Sequence, residues 1–282
     1  MPVRLGLGIP TTIGPPTAPE LSRWCLEAEQ RGASTLSCID RLNYPSLDAL
    51  LALAAAAAVT RRVRLLASVV VAPLRGNGEL LRKQIINLDQ FSGGRFDVGL
   101  GVGRRADDYV CSDVEFETRG KQFDAQLDRF FRLPEPDRTP DLPCILFGGQ
   151  GPATLRRIAR WGGGWISAAG LGGLRSAIAF ARQVQDAWAG ADRPGNPRLI
   201  ALAYGAVGER AADHARTHIH QYYGFLGAEG VERIVDQVII GHEQLADARG
   251  RLTDAGFDEL IVLPTSSSLD QLALLDGCAE HG

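Results

Sequence analysis

The chain carries no marked excess of charge of either sign. Its 30 Lys and Arg stand against 33 Asp and Glu, a formal net charge of −3. That gives no electrostatic reason to expect nucleic acid or an anionic membrane as partner. The five cysteines, Cys25, Cys38, Cys111, Cys144 and Cys278, are odd in number and never spaced Cys-x-x-Cys. Cys25, Cys38 and Cys144 fall in predicted helix or strand and read as buried thiols of a reducing compartment. The longest apolar run, Ala49 to Val59, is alanine-rich and about half a membrane span, so it reads as a packed helix. The first residues show no charged leader followed by an apolar stretch, so a cytoplasmic protein is expected.

Catalytic signatures are sparse too. No Gly-x-Ser-x-Gly elbow occurs, which leaves a serine nucleophile unsupported. No pair of glutamates suggests glycoside hydrolysis. His214 and His218 have the i, i+4 spacing of a helical metal pair, but with His220 they read more simply as a polar, exposed helix face.

What is present is a repeated alternation of short buried strands and amphipathic helices, in a composition 45% apolar and 22% charged. Strands are predicted at Val3–Ile9, Thr35–Ile39, Val63–Val71, Arg95–Leu100, Cys144–Phe147, Gly164–Ser167, Leu199–Val207 and Glu259–Leu263. The third is nearly continuous branched apolar residues, as a parallel strand covered on both faces requires. Thr17-Ala-Pro-Glu20 reads as a capping box, and Ser46 as the cap of the next helix. A helical region is predicted over Glu209–Ile240, and a last helix over Ser268–Gly277. Eight strand–helix units imply a closed (β/α)8 barrel of the α/β class, with an open doubly wound sheet as the alternative. No linker divides the chain, so residues 1–282 are expected to form one domain.

A barrel of this kind places its site at the carboxyl ends of the strands. There the sequence puts Asp40 and Arg41, Ser68 to Val71, Gly101 to Arg105, Gly148 to Gly151, Ser167 and Tyr204. The stretch Asn87–Gly103 ends a helix, turns through Ser92-Gly-Gly94 and opens a strand into Gly101, Gly103 and Arg104; glycines there let backbone approach a ligand closely. Gly148-Gly-Gln-Gly-Pro152 is a second glycine loop, and its backbone N–H groups before a helix start suit a phosphate.

These residues together resemble the bacterial luciferase-like superfamily of flavin- and deazaflavin-dependent oxidoreductases. The matching pieces are Lys83-Gln84, Leu88-Asp89, Ser92 to Gly103, Arg119-Gly120 with Phe123-Asp124, Leu146 to Pro152, Ala159, and Gly163-Gly-Trp-Ile166. The resemblance implies a luciferase-like TIM barrel that holds coenzyme F420 or FMN and is an F420-dependent oxidoreductase or FMN-dependent monooxygenase. It carries cofactor binding onto Gly149, Gln150 and Gly151, with Arg104, or equally Arg105, as cationic partner. It also implies a bulge behind the ring with a cis peptide at Ser68-Val69. Asp40 and Arg41 become the candidates for proton donor or substrate anchor. Where relatives use a histidine after the second strand, this chain has Arg41. The Pro134–Pro143 connection looks short, which implies an open mouth and favours F420 over FMN, since oxygen-using members must shield a reactive species from water. A small organic substrate is expected. A homodimer through the face Ala52–Ala58 is a possible assembly. A non-catalytic flavin-binding relative and a phosphate-substrate isomerase or lyase barrel remain as alternatives.

Overall fold

Short runs of branched and aliphatic residues build the sheet, and each is followed by a helix that covers it. The computed structural model describes residues 2–132, 142–170 and 172–276. The strands are β1 (Arg4–Gly8), β2 (Thr35–Cys38), β3 (Arg64–Val71), β4 (Phe96–Gly101), β5 (Ile145–Gly148), β6 (Gly164–Ile166), β7 (Arg198–Ala206), β8 (Ile239–Ile240) and β9 (Glu259–Pro264). All pairings are parallel, and β6 pairs β7, β7 pairs β9 and β9 pairs β1, so eight strands close the barrel expected from the sequence. The two-residue β8 adds to the far end of β7 outside that ring.

The surrounding helices are α1 (Ala18–Gln30), α2 (Ala49–Val59), α3 (Gly78–Ser92), α4 (Ala106–Val110), α5 (Arg119–Phe130), α6 (Pro152–Trp161), α7 (Gly173–Ala189), α8 (Ala211–Tyr223), α9 (Gly227–Val235) and α10 (Gly241–Asp254). Glu20 accepts hydrogen bonds from both the Thr17 N–H and its hydroxyl, at 2.8 and 2.6 Å, which starts α1 as anticipated. Helix α2 begins two residues later than expected. Asp48, not Ser46, caps it by accepting from Leu50 and Leu51. A carboxylate at this position also pairs with the helix dipole, which a hydroxyl does more weakly. The long helical region divides where glycines interrupt it, into α8, a 3-10 turn over Gly224–Leu226, α9 and β8. The last expected helix is a run of 3-10 turns, Leu269–Leu275. The 134–143 connection lies outside the described residues apart from its last two, and so does Cys278.

The amino-terminal end of the barrel is closed by charge. Asp97, buried near the start of β4, accepts from Arg64 at 2.7 Å and from Arg198 at 2.6 Å. Arg198 also reaches Glu259 at 3.1 Å, and the Ser34 and Thr35 hydroxyls donate to the same carboxylate at 2.6 Å. The two buried carboxylates, Asp97 and Glu259, are therefore paired and hydrogen-bonded, the condition under which burial is tolerated. With this end sealed, the open face lies at the opposite rim. Cys25 and Cys38 are buried as expected, and burial pushes both thiols up to about 12. Cys144 is half-buried just ahead of β5, and Cys111 is exposed.

Candidate active site

Two adjoining hollows of 310 and 190 Å³ occupy the carboxyl ends of the strands. Both are lined by Ser68, Val69, Gly103 and Arg104, and by Tyr222 and Tyr223. The larger adds Asp40, Arg41 and Arg105; the smaller adds Gly101 and Gly149.

Between them stands a bulge in β3. Its register against β4 shifts between Ala67 and Val70, and the Ser68–Val69 peptide is cis, as the resemblance implied. The Val69 side chain lies over β4 and β5. A Cβ on Gly99 or Gly101 would meet a Val69 methyl at 2.8 Å, and one on Gly148 at 2.9 Å. These glycines are the socket for Val69. Gly101, which lines the smaller hollow, thus has a packing reason within the protein beside the close backbone approach to a ligand read from the sequence. Gly103, with φ +65°, faces Val71 at 3.0 Å in the same manner. The Ser68 hydroxyl accepts from Ser37 at 2.6 Å and donates to the Cys38 carbonyl at 3.3 Å, which ties the bulge to β2.

The charged candidates differ in how far they are engaged. One Asp40 oxygen accepts from Arg75 at 2.6 Å and the other from the Val71 N–H at 3.0 Å. Burial raises its pKa, and Arg75 opposes that rise. Arg41 donates through Nε to Asp108 at 2.7 Å and through Nη2 to Asp107 at 3.2 Å, while Nη1 is buried without an acceptor. The other Asp108 oxygen accepts from the Leu42 and Asn43 amides, which pins the loop after β2 to α4. Arg105 donates to Asp107 and to the Tyr222 carbonyl and lies 3.8 Å over the Phe225 ring. Arg104 is exposed and, among the described residues, makes no ion pair or hydrogen bond. The sequence treated Arg104 and Arg105 as equivalent. Of the two, Arg104 is the one without an ion pair among the described residues.

The second glycine loop enters α6 through Gly149 and Gly151, both at positive φ (+105° and +149°). Among the described residues no acceptor takes the amide N–H groups of Gln150, Gly151 or Ala153, and no side chain caps the helix. Pro152 has no N–H to offer. The loop is therefore an open set of donors at a helix start, the usual anion cradle. Trp165 donates to the Gly149 carbonyl at 2.8 Å and holds the loop in place. Gly149 lines the hollow, whereas Gln150 is exposed at the rim near Ser176.

The sequence model of the family described as luciferase-like monooxygenase matches residues 3–124 and 112–262. The chain belongs to that family. An uncharacterized protein of Mycobacterium tuberculosis (strain H37Rv) is 29% identical over 188 residues, 59% of this chain and 65% of that protein's length. The chain thus aligns with just under two thirds of that relative. An F420-dependent secondary alcohol dehydrogenase, solved with an F420-acetone adduct, is similar over 98% of this chain and 97% of its own, with TM-score 0.78 and 15% identity. The monooxygenase RslO1 of Streptomyces bottropensis is similar over 96% and 95%, with TM-score 0.77 and 20% identity. At such identities these two structures bear on the fold alone. Among the described residues of this luciferase-like chain, no helix is long and apolar enough to cross a membrane, and no cluster of three metal-ligating side chains occurs.

One wall of the luciferase-like site was not foreseen. Tyr222 and Tyr223 end α8, and Phe225 follows in the 3-10 turn. The Tyr223 hydroxyl donates to the Ala169 carbonyl at 2.7 Å and meets the Tyr204 hydroxyl at 3.3 Å. Tyr222 is packed edge-on against Tyr44 at 5.1 Å and Tyr223 at 4.9 Å. His218 lies beneath it, ring centroids 5.8 Å apart. The reading of His218 as part of an exposed face is corrected: it is 3% exposed, and burial lowers its pKa to about 4. His220, on the outer face, does lie exposed and pairs with Glu232. The signal available in the sequence was the Tyr-Tyr-Gly-Phe run, whose glycine breaks the helix where the aromatics must turn inward.

Proposed function

We propose that the chain is an oxidoreductase that binds a flavin-type cofactor, coenzyme F420 in preference to FMN, and transfers hydride to or from a small organic substrate. The observation that carries this reading is the Val69 bulge, seated in its glycine socket between an open amide cradle and a free arginine. The residues present fit such a cofactor. The amides of Gln150, Gly151 and Ala153 would take its phosphate and Arg104 would balance the charge, while Val69 would back its ring. The cofactor supplies the hydride chemistry; the protein binds it, orients it and keeps water from the reacting face.

Arg41 would anchor substrate from the larger hollow. Asp40, held by Arg75 and the Val71 amide, would fix the loop that carries Arg41. The preference for F420 follows the sequence, whose short Pro134–Pro143 connection implies an open mouth, and FMN is the second reading. Assembly as a homodimer through the face Ala52–Ala58 belongs to the same proposal; of that face Ala55 and Ala58 are exposed, while Ala52, Ala56 and Ala57 are buried within the protein. Fluorescence titration of the purified protein with F420 and with FMN tests the cofactor. Tight binding of F420 with weak FMN binding supports the reading. Tight binding of FMN alone selects the monooxygenase reading, and binding of neither removes both.

A further inference from the structure

We propose that Tyr222 is the catalytic acid of this site and that it protonates the oxygen of an aldehyde or ketone substrate as hydride reaches the adjacent carbon. The inference rests on the oxidoreductase reading above. It starts from the polar groups that line the two hollows. Both oxygens of Asp40 and both of Asp108 are taken by donors. The hydroxyls of Ser68 and Ser167 bond to neighbouring strands. Tyr223 gives its proton to the Ala169 carbonyl, so its contact with Tyr204 takes the Tyr204 proton. The arginines stay protonated throughout the working range and are poor proton donors. Tyr222 lines both hollows, and among the described residues no acceptor takes its proton.

The surroundings of Tyr222 fit the charge that it would have to bear. The Arg41 guanidinium lies 5.4 Å and the Arg105 guanidinium 6.0 Å from its ring centre. Arg41 Nη1 is buried without an acceptor, and a buried donor left in that state is costly. A phenolate at Tyr222 would supply this guanidinium with an anionic oxygen. The groups around Tyr222 are Arg41 and Tyr44 from the loop after β2, Arg105 from the loop after β4, Asp108 of α4 with Asp107 paired to both arginines, His218 and Tyr223 from its own helix, and Tyr204 of β7 within electrostatic reach. Burial is the largest influence and leaves the phenol's pKa raised; Arg41, by its charge and by hydrogen bonding to the hydroxyl, and then Arg105 oppose that rise, and Asp108 adds to it. Three rings hold Tyr222 in place, which limits the rotamer freedom lost when substrate binds.

The step balances. A hydride from the reduced flavin-type cofactor adds to the carbonyl carbon, and the C=O π pair moves to oxygen. That oxygen takes the proton from the Tyr222 O–H, leaving a phenolate beside Arg41 for solvent to reprotonate. The cofactor is oxidised by two electrons and the carbonyl reduced to an alcohol; the reverse direction uses the phenolate as base.

Tyr222→Phe removes only the hydroxyl. In the cofactor-free protein, tyrosinate absorbance followed against pH is expected to lose one step in Tyr222→Phe, and that step is expected to move to higher pH in Arg41→Gln. Arg41→Lys, which keeps a charge, is the second variant should the Gln protein fail to fold. With reduced F420 and a series of aliphatic and aromatic aldehydes and ketones, Tyr222→Phe is expected to bind cofactor as the parent does. Its reduction rate is expected to fall about 100-fold, as loss of a general acid commonly gives, and the alkaline limb of the pH profile to disappear. A Tyr222 step insensitive to Arg41, an unchanged rate and profile in Tyr222→Phe, or no carbonyl reduced by a parent that binds F420 each overturns the assignment alone. A parent that binds neither F420 nor FMN overturns the oxidoreductase reading and this inference with it.

Discussion

The Val69 socket yields a prediction in which a substitution changes sign with its partner. Gly101 has no positive φ, so alanine fits its backbone and would stabilise the fold by about 0.4–1 kcal/mol through the unfolded chain. Against that, the new Cβ would lie 2.8 Å from a Val69 methyl, where carbon atoms prefer about 3.5–4.0 Å. Val69 has a stiff, branched side chain on a bulged strand and cannot turn away easily. Overpacking of this kind costs about 1–3 kcal/mol, so Gly101→Ala should destabilise the parent by about 0.5–2 kcal/mol. Val69→Ala removes both offending methyls. In that background Gly101→Ala loses its clash and keeps only its gain, so it should stabilise by up to about 1 kcal/mol. The coupling, read by urea unfolding of the four proteins, should therefore be about 1–3 kcal/mol. Additive effects, or a stabilising Gly101→Ala in the parent, would show that Val69 does not govern these glycines.

Arg104→Ala should leave unfolding midpoints unchanged and weaken F420 binding about 10-fold, the effect of one charge-assisted contact, as read by the same fluorescence titration; unchanged affinity would remove Arg104 from the cofactor's anion site. Arg198→Met should destabilise the fold by about 3–5 kcal/mol, since Asp97 and Glu259 stay buried with fewer partners; a loss below about 1 kcal/mol in urea unfolding would contradict the charge plug. For His218 the folded pKa is depressed, from its ordinary 6.5 to about 4. The unfolded chain thus takes up a proton that the folded one refuses. Stability is complete above about 6.5 and is lost as pH falls towards 4, by on the order of 3 kcal/mol. His218→Leu should flatten that part of the pH dependence relative to the parent, and an identical slope in both proteins would refute it.

Much of the fold was legible because its signals are local. Val63 to Val71 reads as a buried parallel strand from its branched residues alone, and the boundaries observed for β3 and β9 lie within a residue of those expected. The glycine loop before α6 was legible for the same reason, since consecutive glycines before a proline leave few backbone alternatives. The helix caps were less so. Ser46 and Asp48 are both good cap residues, and only the path of the chain after β2 decides between them.

What the sequence determined by itself was the alternation of strand and helix, hence the barrel, and the set of small and polar residues at the strand ends. Period and punctuation suffice for that, because each depends on a residue and its near neighbours. The tertiary structure alone decided which of those residues are free. Arg104 and Arg105 are adjacent and chemically identical, yet Asp107 and the Tyr222 carbonyl engage one and leave the other open. Gly99, Gly101 and Gly148 share one reason, a valine on a third strand, that no spacing between them reveals. Tyr222 reaches the mouth from a helix more than 100 residues beyond Arg41 in sequence. Pairing of charges, relief of overlap and exposure of a hydroxyl are properties of atoms brought together by folding, so they are settled only when the barrel closes.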